Sequence, residues 1–233
     1  MEPIDFTDCE RLPGRAYNGA NGKKIAVRYD DDVWLLKFPP STAEKPTTLS
    51  YSNSCYSEHL ASTIANMIGL KAQETRLGTF TNGKTKVVCA CRDFTADGKV
   101  LYDFDRHNGN WGFLVDPTTR KAEIAPAYDF GSCLLPQADD DIMRRVIGDK
   151  AELDARIYNF PASALKQEGK KIGYVDFIAQ NRDGVLAPSL ARIVPRIDLA
   201  ALNAFIDDTP YLAGHQRRFY KVYLSARFAA LFA

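Results

Sequence analysis

Two hairpin signals with a single helix between them constrain the first ninety-odd residues more than any other feature of the chain. Residues 23–29 (KKIAVRY) and 33–38 (VWLLKF) are apolar, β-branched or aromatic runs separated by Asp30, Asp31 and Asp32, the pattern of paired strands. Residues 75–80 (TRLGTF) and 84–94 (KTKVVCACRDF) flank Asn82-Gly83, a dipeptide that favours a two-residue turn. Between the hairpins, residues 54–69 (SCYSEHLASTIANMIG) read as a helix, with Asn53 or Ser54 as N-cap and Gly69 as its stop. This order contains no alternating β-α-β unit. It disfavours a Rossmann-type sheet and predicts an antiparallel one.

Two charged residues sit oddly in this frame. Period two places Val33, Leu35 and Lys37 on one strand face and Trp34, Leu36 and Phe38 on the other. Both faces are otherwise apolar, so Lys37 points where a core is expected. A strand-end lysine can snorkel to water. If buried, it needs a carboxylate or an anionic ligand. On the helix, Leu60, Ile64, Met67 and Ile68 form an apolar arc, and Glu58 shares a neighbouring arc with Ala61, Ser62, Ala65 and Gly69. Small residues let the helix approach a sheet closely and bring Glu58 near it. Taken alone, Glu58 is also an ordinary first-turn acid favoured by the helix dipole.

The middle of the chain holds the chemistry. Residues 105–110 read DRHNGN, residues 111–116 (WGFLVD) and 123–126 (EIAP) form a further hairpin, and Asp129-Phe130-Gly131 follows. A carboxylate (Asp105), an amide five positions on (Asn110) and a second carboxylate (Asp129) suit a hard cation with phosphate. An aspartate beside an attacking hydroxyl can accept its proton. Turn chemistry accounts for Asp105 and Asn108 equally well when they are taken alone. Upstream, GRAYNGANGKK carries Gly14, Gly19 and Gly22, and glycine lets backbone approach a ligand.

Composition removes several classes. Lys+Arg is 30 and Asp+Glu is 29, so neither nucleic acid nor an anionic membrane is an expected partner. No apolar run is long enough for a membrane span. The first 20 residues carry six charges and no apolar segment, so no cleaved signal is expected. A cytoplasmic location is the expectation, with secretion lacking such a signal left open. Five cysteines without a C-x-x-C motif, and three scattered histidines, predict free thiols and no zinc site.

The order glycine-rich hairpin, strand lysine, helix glutamate, D-x-x-x-x-N and DFG is the set of parts of a protein kinase. DRHNGN resembles the catalytic loop of phosphoinositide lipid kinases and, more closely, of the HipA-like bacterial serine/threonine kinases. NGANGKKIAVRY, WLLKFPP, SYSNSCYSEHLA, VVCACRDF, DRHNGNWGFL, IAPAYDFGS and the tail from RIVPRIDLAALNAFIDDTP to RRFYKVYL resemble the small CtkA-like group of that family. The resemblance implies an α+β, two-lobed, protein-kinase-like fold using ATP and Mg²⁺ on a Ser or Thr of a protein substrate. It implies that Lys37 holds phosphates and pairs with Glu58, that Asp105 is the catalytic base, and that Asn110 and Asp129 ligate Mg²⁺. It places Gly19, Gly22 and Lys23 in a phosphate-covering loop and Cys89 to Asp93 at a hinge that meets adenine. The expected division is an N-lobe over 1–94, a shortened linker over 95–104 and a C-lobe over 105–233.

Two departures follow. Asp105 stands only 12 positions after Asp93, where family members carry a long, mainly helical segment. Twelve extended residues span at most about 40 Å, enough to join two lobes but without the helices that support the catalytic loop. An uncovered apolar surface would invite an antitoxin-like partner or self-association. A weak or inactive kinase-like protein is therefore the alternative, and lipid phosphorylation a lesser one. Secondly, residues 14–24 hold no Ser or Thr for the self-phosphorylation some relatives use. Ser41, Thr42, Thr47, Thr48, Ser50, Ser52, Ser54 and Ser57 are the alternative acceptors nearby. Residues 139–148, 173–180, 184–194, 198–207 and 213–232 carry helix-length patterns. In the last, Tyr220, Leu224, Phe228 and Leu231 form a stripe, and Arg217, Arg218, Lys221 and Arg227 read as a solvated face.

Overall fold

In a computed structural model, residues 4–15, 24–40, 51–103, 110–160, 163 and 165–232 are described. Gly19, Gly22, Lys23 and Asp105 lie outside these residues.

The first strands are β1 (Ile4–Asp5), β2 (Glu10–Arg11), β3 (Lys24–Tyr29) and β4 (Asp32–Lys37). The helix α1 (Ser54–Met67) follows, then β5 (Thr75–Asn82) and β6 (Lys84–Arg92). They form one six-stranded sheet in the order β1-β5-β6-β4-β3-β2. All pairs are antiparallel except β1 on β5, a parallel edge that the hairpin pattern does not announce. Asp30 and Asp31 both take positive φ, 53° and 62°, the left-handed pair that a two-residue turn between Tyr29 and Asp32 requires. The second turn departs from expectation. Asn82 pairs with Lys84, so Gly83 stands alone at the tip with φ +72° rather than sharing a two-residue turn with Asn82.

Strand β4 is buried on both faces. Trp34 and Leu36 join Phe6, Val27, Phe80, Val88 and Ala90 in one apolar cluster. The face carrying Val33, Leu35 and Lys37 turns toward α1, because Lys37 and Cys91 both reach Glu58 there. The buried residues of α1 draw on both arcs: Leu60 and Ile64 of the apolar one, and Cys55, Ser57, Glu58, His59, Ser62 and Ala65, mostly small or polar. Met67, expected on the apolar arc, is exposed. Ser62 donates to the Gln73 carbonyl, which lets the helix lie close to the chain entering β5. Gly69 takes φ +82° and Leu70 N–H donates to the Ala65 carbonyl, closing the helix as the glycine predicts.

A three-stranded antiparallel sheet follows: β7 (Val100–Asp103), β8 (Gly112–Val115) and β9 (Ala122–Ile124). The hairpin over 111–126 is present, and the expected linker supplies its third strand.

The chain divides into two compact units, Met1–Asn66 with Leu70–Gln137, and Ala138–Ala233 with Met67–Gly69. This division by compactness falls at 137/138, not within 95–104. In the second unit, α2 (Asp140–Gly148) and α3 (Lys150–Tyr158) are capped by Asp139 and Asp149. A short hairpin β10 (Lys166–Gln167) and β11 (Lys170–Lys171) precedes α4 (Tyr174–Asn181), α5 (Ala187–Ile193), α6 (Leu199–Asp208), capped by Asp198, and α7 (Gly214–Phe232). Helix α3 escaped the periodicity reading because Asp149 both ends α2 and caps α3. The core here comes from Met143, Val146, Ile157, Leu202, Ile206, Phe219, Tyr220, Tyr223 and Leu224. Three of the four cations of α7 depart from the solvated-face reading: Arg217 donates to the Thr209 carbonyl, Lys221 pairs with Asp207 and Arg227 donates to the Ile157 carbonyl.

Candidate active site

Lys37 closes β4 and carries the first charge into the site. Its Nζ lies 3.0 Å from Glu58 Oε2 and 2.9 Å from Asp129 Oδ1. Glu58 is buried, while the Asp129 side chain is 57% exposed, so one partner anchors the lysine and the other presents it to a ligand. Burial alone would discharge an ammonium. Here it is outweighed by Cys91, Glu58 and Asp129 around it, and the Lys37 pKa stands above its ordinary value.

The second oxygen of Glu58 is also committed. Oε1 accepts from Phe130 N–H at 3.1 Å and lies 3.9 Å from Cys91 Sγ. The preceding carbonyl, that of Asp129, accepts from Asn110 Nδ2 at 3.2 Å. Both ends of the Asp129–Phe130 peptide are therefore held, and Asp129 itself sits at φ 63°, where a non-glycine residue is strained. Gly131 packs closely: a Cβ there would lie 3.1 Å from Glu58 Oε2, so the glutamate would have to shift by a few tenths of an ångström.

The structure thus brings Lys37, Glu58, Asn110 and Asp129 together, all within the first compact unit. Asp93 stands apart. Its carboxylate accepts from Thr95 N–H and Oγ1 and pairs with Arg15, which fixes the end of β6. Arg15 carried no sequence signal; its partner is 78 positions away. Ser57, named above as a phosphate acceptor, is fully buried and hydrogen-bonded through its hydroxyl, which removes it from that list.

Two thiols near the site are quiet: burial pushes Cys55 up to about 12 and raises Cys89 as well, so both stay protonated at neutral pH. Among the described residues no group of three or more His, Cys, Asp or Glu could hold a metal by itself. The available donors are one exposed carboxylate and one amide oxygen beside a fixed ammonium. That set fits a hard divalent cation whose remaining ligands are phosphate oxygens and water.

An antiparallel sheet backed by one helix, with a strand lysine paired to a helix glutamate and to the aspartate of a DFG segment, followed by a helical part, is the arrangement of a protein kinase. No protein-family model matches the chain. It is 39% identical to the serine/threonine-protein kinase CtkA of Helicobacter pylori (strain J99), over 97% of this chain and 86% of that one. The crystal structure of an H. pylori proinflammatory kinase CtkA superposes with a TM-score of 0.90 at 37% identity, covering 98% of this chain and 95% of that one. The chain belongs to the CtkA family of serine/threonine protein kinases. In the sequence alignment, 97% of 233 residues is about 226, against 285 aligned positions, so about 59 positions have no residue in this chain. Among the described residues no helix is long and apolar enough to cross a membrane.

Proposed function

We propose that this chain transfers the γ-phosphoryl group of ATP, with Mg²⁺, to a Ser or Thr hydroxyl of a protein substrate. The observation that carries the reading is Lys37 held between Glu58 and Asp129. Such a cation, fixed before any ligand arrives, neutralises phosphate charge without reorganisation. In this reading Asn110 and Asp129 hold Mg²⁺, which would neutralise charge on the transferring group. Gly19, Gly22 and Lys23 cover the phosphates, and Asp105 accepts the hydroxyl proton. Glu58 and the Phe130 peptide hold Lys37 and Asp129 in place. The functional lobes are 1–94 and 105–233 across 95–104, the protein acts in the cytoplasm, and an antitoxin-like partner or a second copy covers its helical part.

Incubation with radiolabelled ATP and a protein acceptor tests this. Label transfer should require Mg²⁺ and vanish in Asp105→Ala and Asp129→Asn. Transfer unchanged by either substitution would sink the assignment. A second reading, a slow or silent kinase that still binds nucleotide, is supported by the step of only 12 positions from Asp93 to Asp105. Phosphoryl transfer rests on positioning, so a catalytic loop without supporting helices loses rate before it loses binding. Nucleotide binding with no detectable transfer would favour it.

A further inference from the structure

We propose that Ser57 is a positioning residue for Asp129, an assignment that rests on the reading of Asp129 as a Mg²⁺ ligand. Ser57 is fully buried in the first turns of α1. Its hydroxyl donates to the Phe130 carbonyl at 3.0 Å and accepts from Leu134 N–H at 3.0 Å. A serine has one O–H to give, and this one is spent on the segment that carries Asp129. The adjacent residue of the same helix, Glu58, takes the Phe130 N–H. Consecutive side chains of α1 therefore grip Phe130 by its N–H and its C=O.

This grip has a stated target. Asp129 is strained at φ 63°, and its carboxylate, though more than half exposed, meets Lys37 Nζ at 2.9 Å. The restraint comes from the neighbouring peptides: Asn110 on the Asp129 carbonyl, Glu58 on Phe130 N–H, and Ser57 with Cys133 N–H on the Phe130 carbonyl. Strained backbone persists only where its surroundings over-determine it. Ser57 also reaches Leu134, so it ties both ends of the 130–134 turn to the helix that holds Lys37 through Glu58. The position of α1 and the aim of the Asp129 carboxylate are thereby one variable. An ordinary buried serine would make the same two bonds and matter only to folding, and the experiment separates these roles.

Titrate a non-hydrolysable ATP analogue by calorimetry, with and without Mg²⁺, into the wild-type chain, Ser57→Ala, Asp129→Asn and the double variant. Losing these bonds should raise the Mg²⁺ concentration for half-maximal effect about three- to tenfold, the usual worth of a hydrogen bond. Nucleotide affinity without Mg²⁺ should hold within about twofold, as loss of a hydrogen bond that does not touch nucleotide predicts. In the Asp129→Asn background Ser57→Ala should add nothing. A Mg²⁺ shift of equal size in that background, an equal loss of affinity with and without Mg²⁺, or no shift at all overturns the assignment. Should Ser57→Ala not fold, Ser57→Cys fills nearly the same volume with a weaker hydrogen-bonding group and is read in the same way. No Mg²⁺-dependent affinity in the wild-type chain overturns the proposed function itself, and this inference with it.

Discussion

The two compact units are built from the same kinds of residue and are filled very differently. In the first, β4 is buried on both faces, and Trp34, Leu36, Val27, Val88 and Phe6 are almost wholly removed from water. In the second, α2, α6 and α7 supply a real core, but among the described residues from 158 to 201 not one is buried. That stretch holds α4 and α5 and includes Phe177, Ile178, Leu190, Ile193 and Val194, all only partly covered. Apolar side chains left half in water give up much of the transfer free energy that folding could collect from them. The comparison teaches that the groups of the candidate site sit on the well-packed unit, while its neighbour carries the deficit.

The largest test strikes the first unit at its charged centre. Lys37→Met leaves Glu58 buried without its cation, and breaking a buried pair costs about 3–5 kcal/mol. That exceeds the small effect a strand-end lysine suggests. Phosphoryl transfer should fall at least about a hundredfold, as for other preorganised charges. Adding Glu58→Gln should restore melting temperature and leave transfer lost. A double variant no more stable than Lys37→Met would show that Glu58 does not depend on the lysine.

The next test compares one substitution in two settings. Leu36→Ala should cost about 2–5 kcal/mol, and Leu190→Ala in α5 less than about 1 kcal/mol. Both tryptophans, Trp34 and Trp111, lie in the first unit, so fluorescence follows that unit while ellipticity is weighted toward the helices of the other. On heating, the ellipticity transition should come first, and Leu36→Ala should narrow the gap. Coincident transitions in the wild-type chain would remove the contrast altogether.

Acid should also act on the first unit. His59 packs beside Thr75 Oγ1, and burial lowers its pKa to about 4 from an ordinary 6.5. Between those values the unfolded chain holds a proton that the folded one does not, so stability falls as pH drops through that window. The limit is about 3 kcal/mol. Fluorescence-monitored denaturation at pH 7 and pH 4.5 measures it, and His59→Gln should flatten the dependence. The smallest effect is at Gly131. Gly131→Ala presses a methyl on Glu58 Oε2, and transfer should drop about three- to tenfold, the scale of one disturbed hydrogen bond. An unchanged rate would mean the helix yields freely.

What could be read from the sequence was whatever depends on near neighbours. The β3–β4 hairpin, α1, β6 and five of the later helices follow from alternation, capping and period, and the facing surfaces of Lys37 and Glu58 could be inferred from two such patterns. Hidden from that reading were contacts between residues far apart in the chain. Lys37 meets Asp129 across 92 positions, Ser57 meets Leu134 across 77, and Arg15 meets Asp93 across 78. No local pattern requires a serine before Glu58, since Ala would serve α1 as well. β1 was missed because two residues carry no period. The roles of Asp105, Gly19, Gly22 and Lys23 rest on resemblance alone.

The left-handed backbone at Asp129 has a consequence for how such a chain can drift. Glycine occupies that conformation at no steric cost, whereas an L-residue gives up roughly 1–2 kcal/mol to stay there. Replacing Asp129 by glycine would thus relax the backbone and remove the carboxylate in one step. At this position selection for a sturdier fold and selection for a working site pull in opposite directions. A lineage freed from the need for the carboxylate would be expected to slide toward glycine, and the aspartate stands in this chain against that slope.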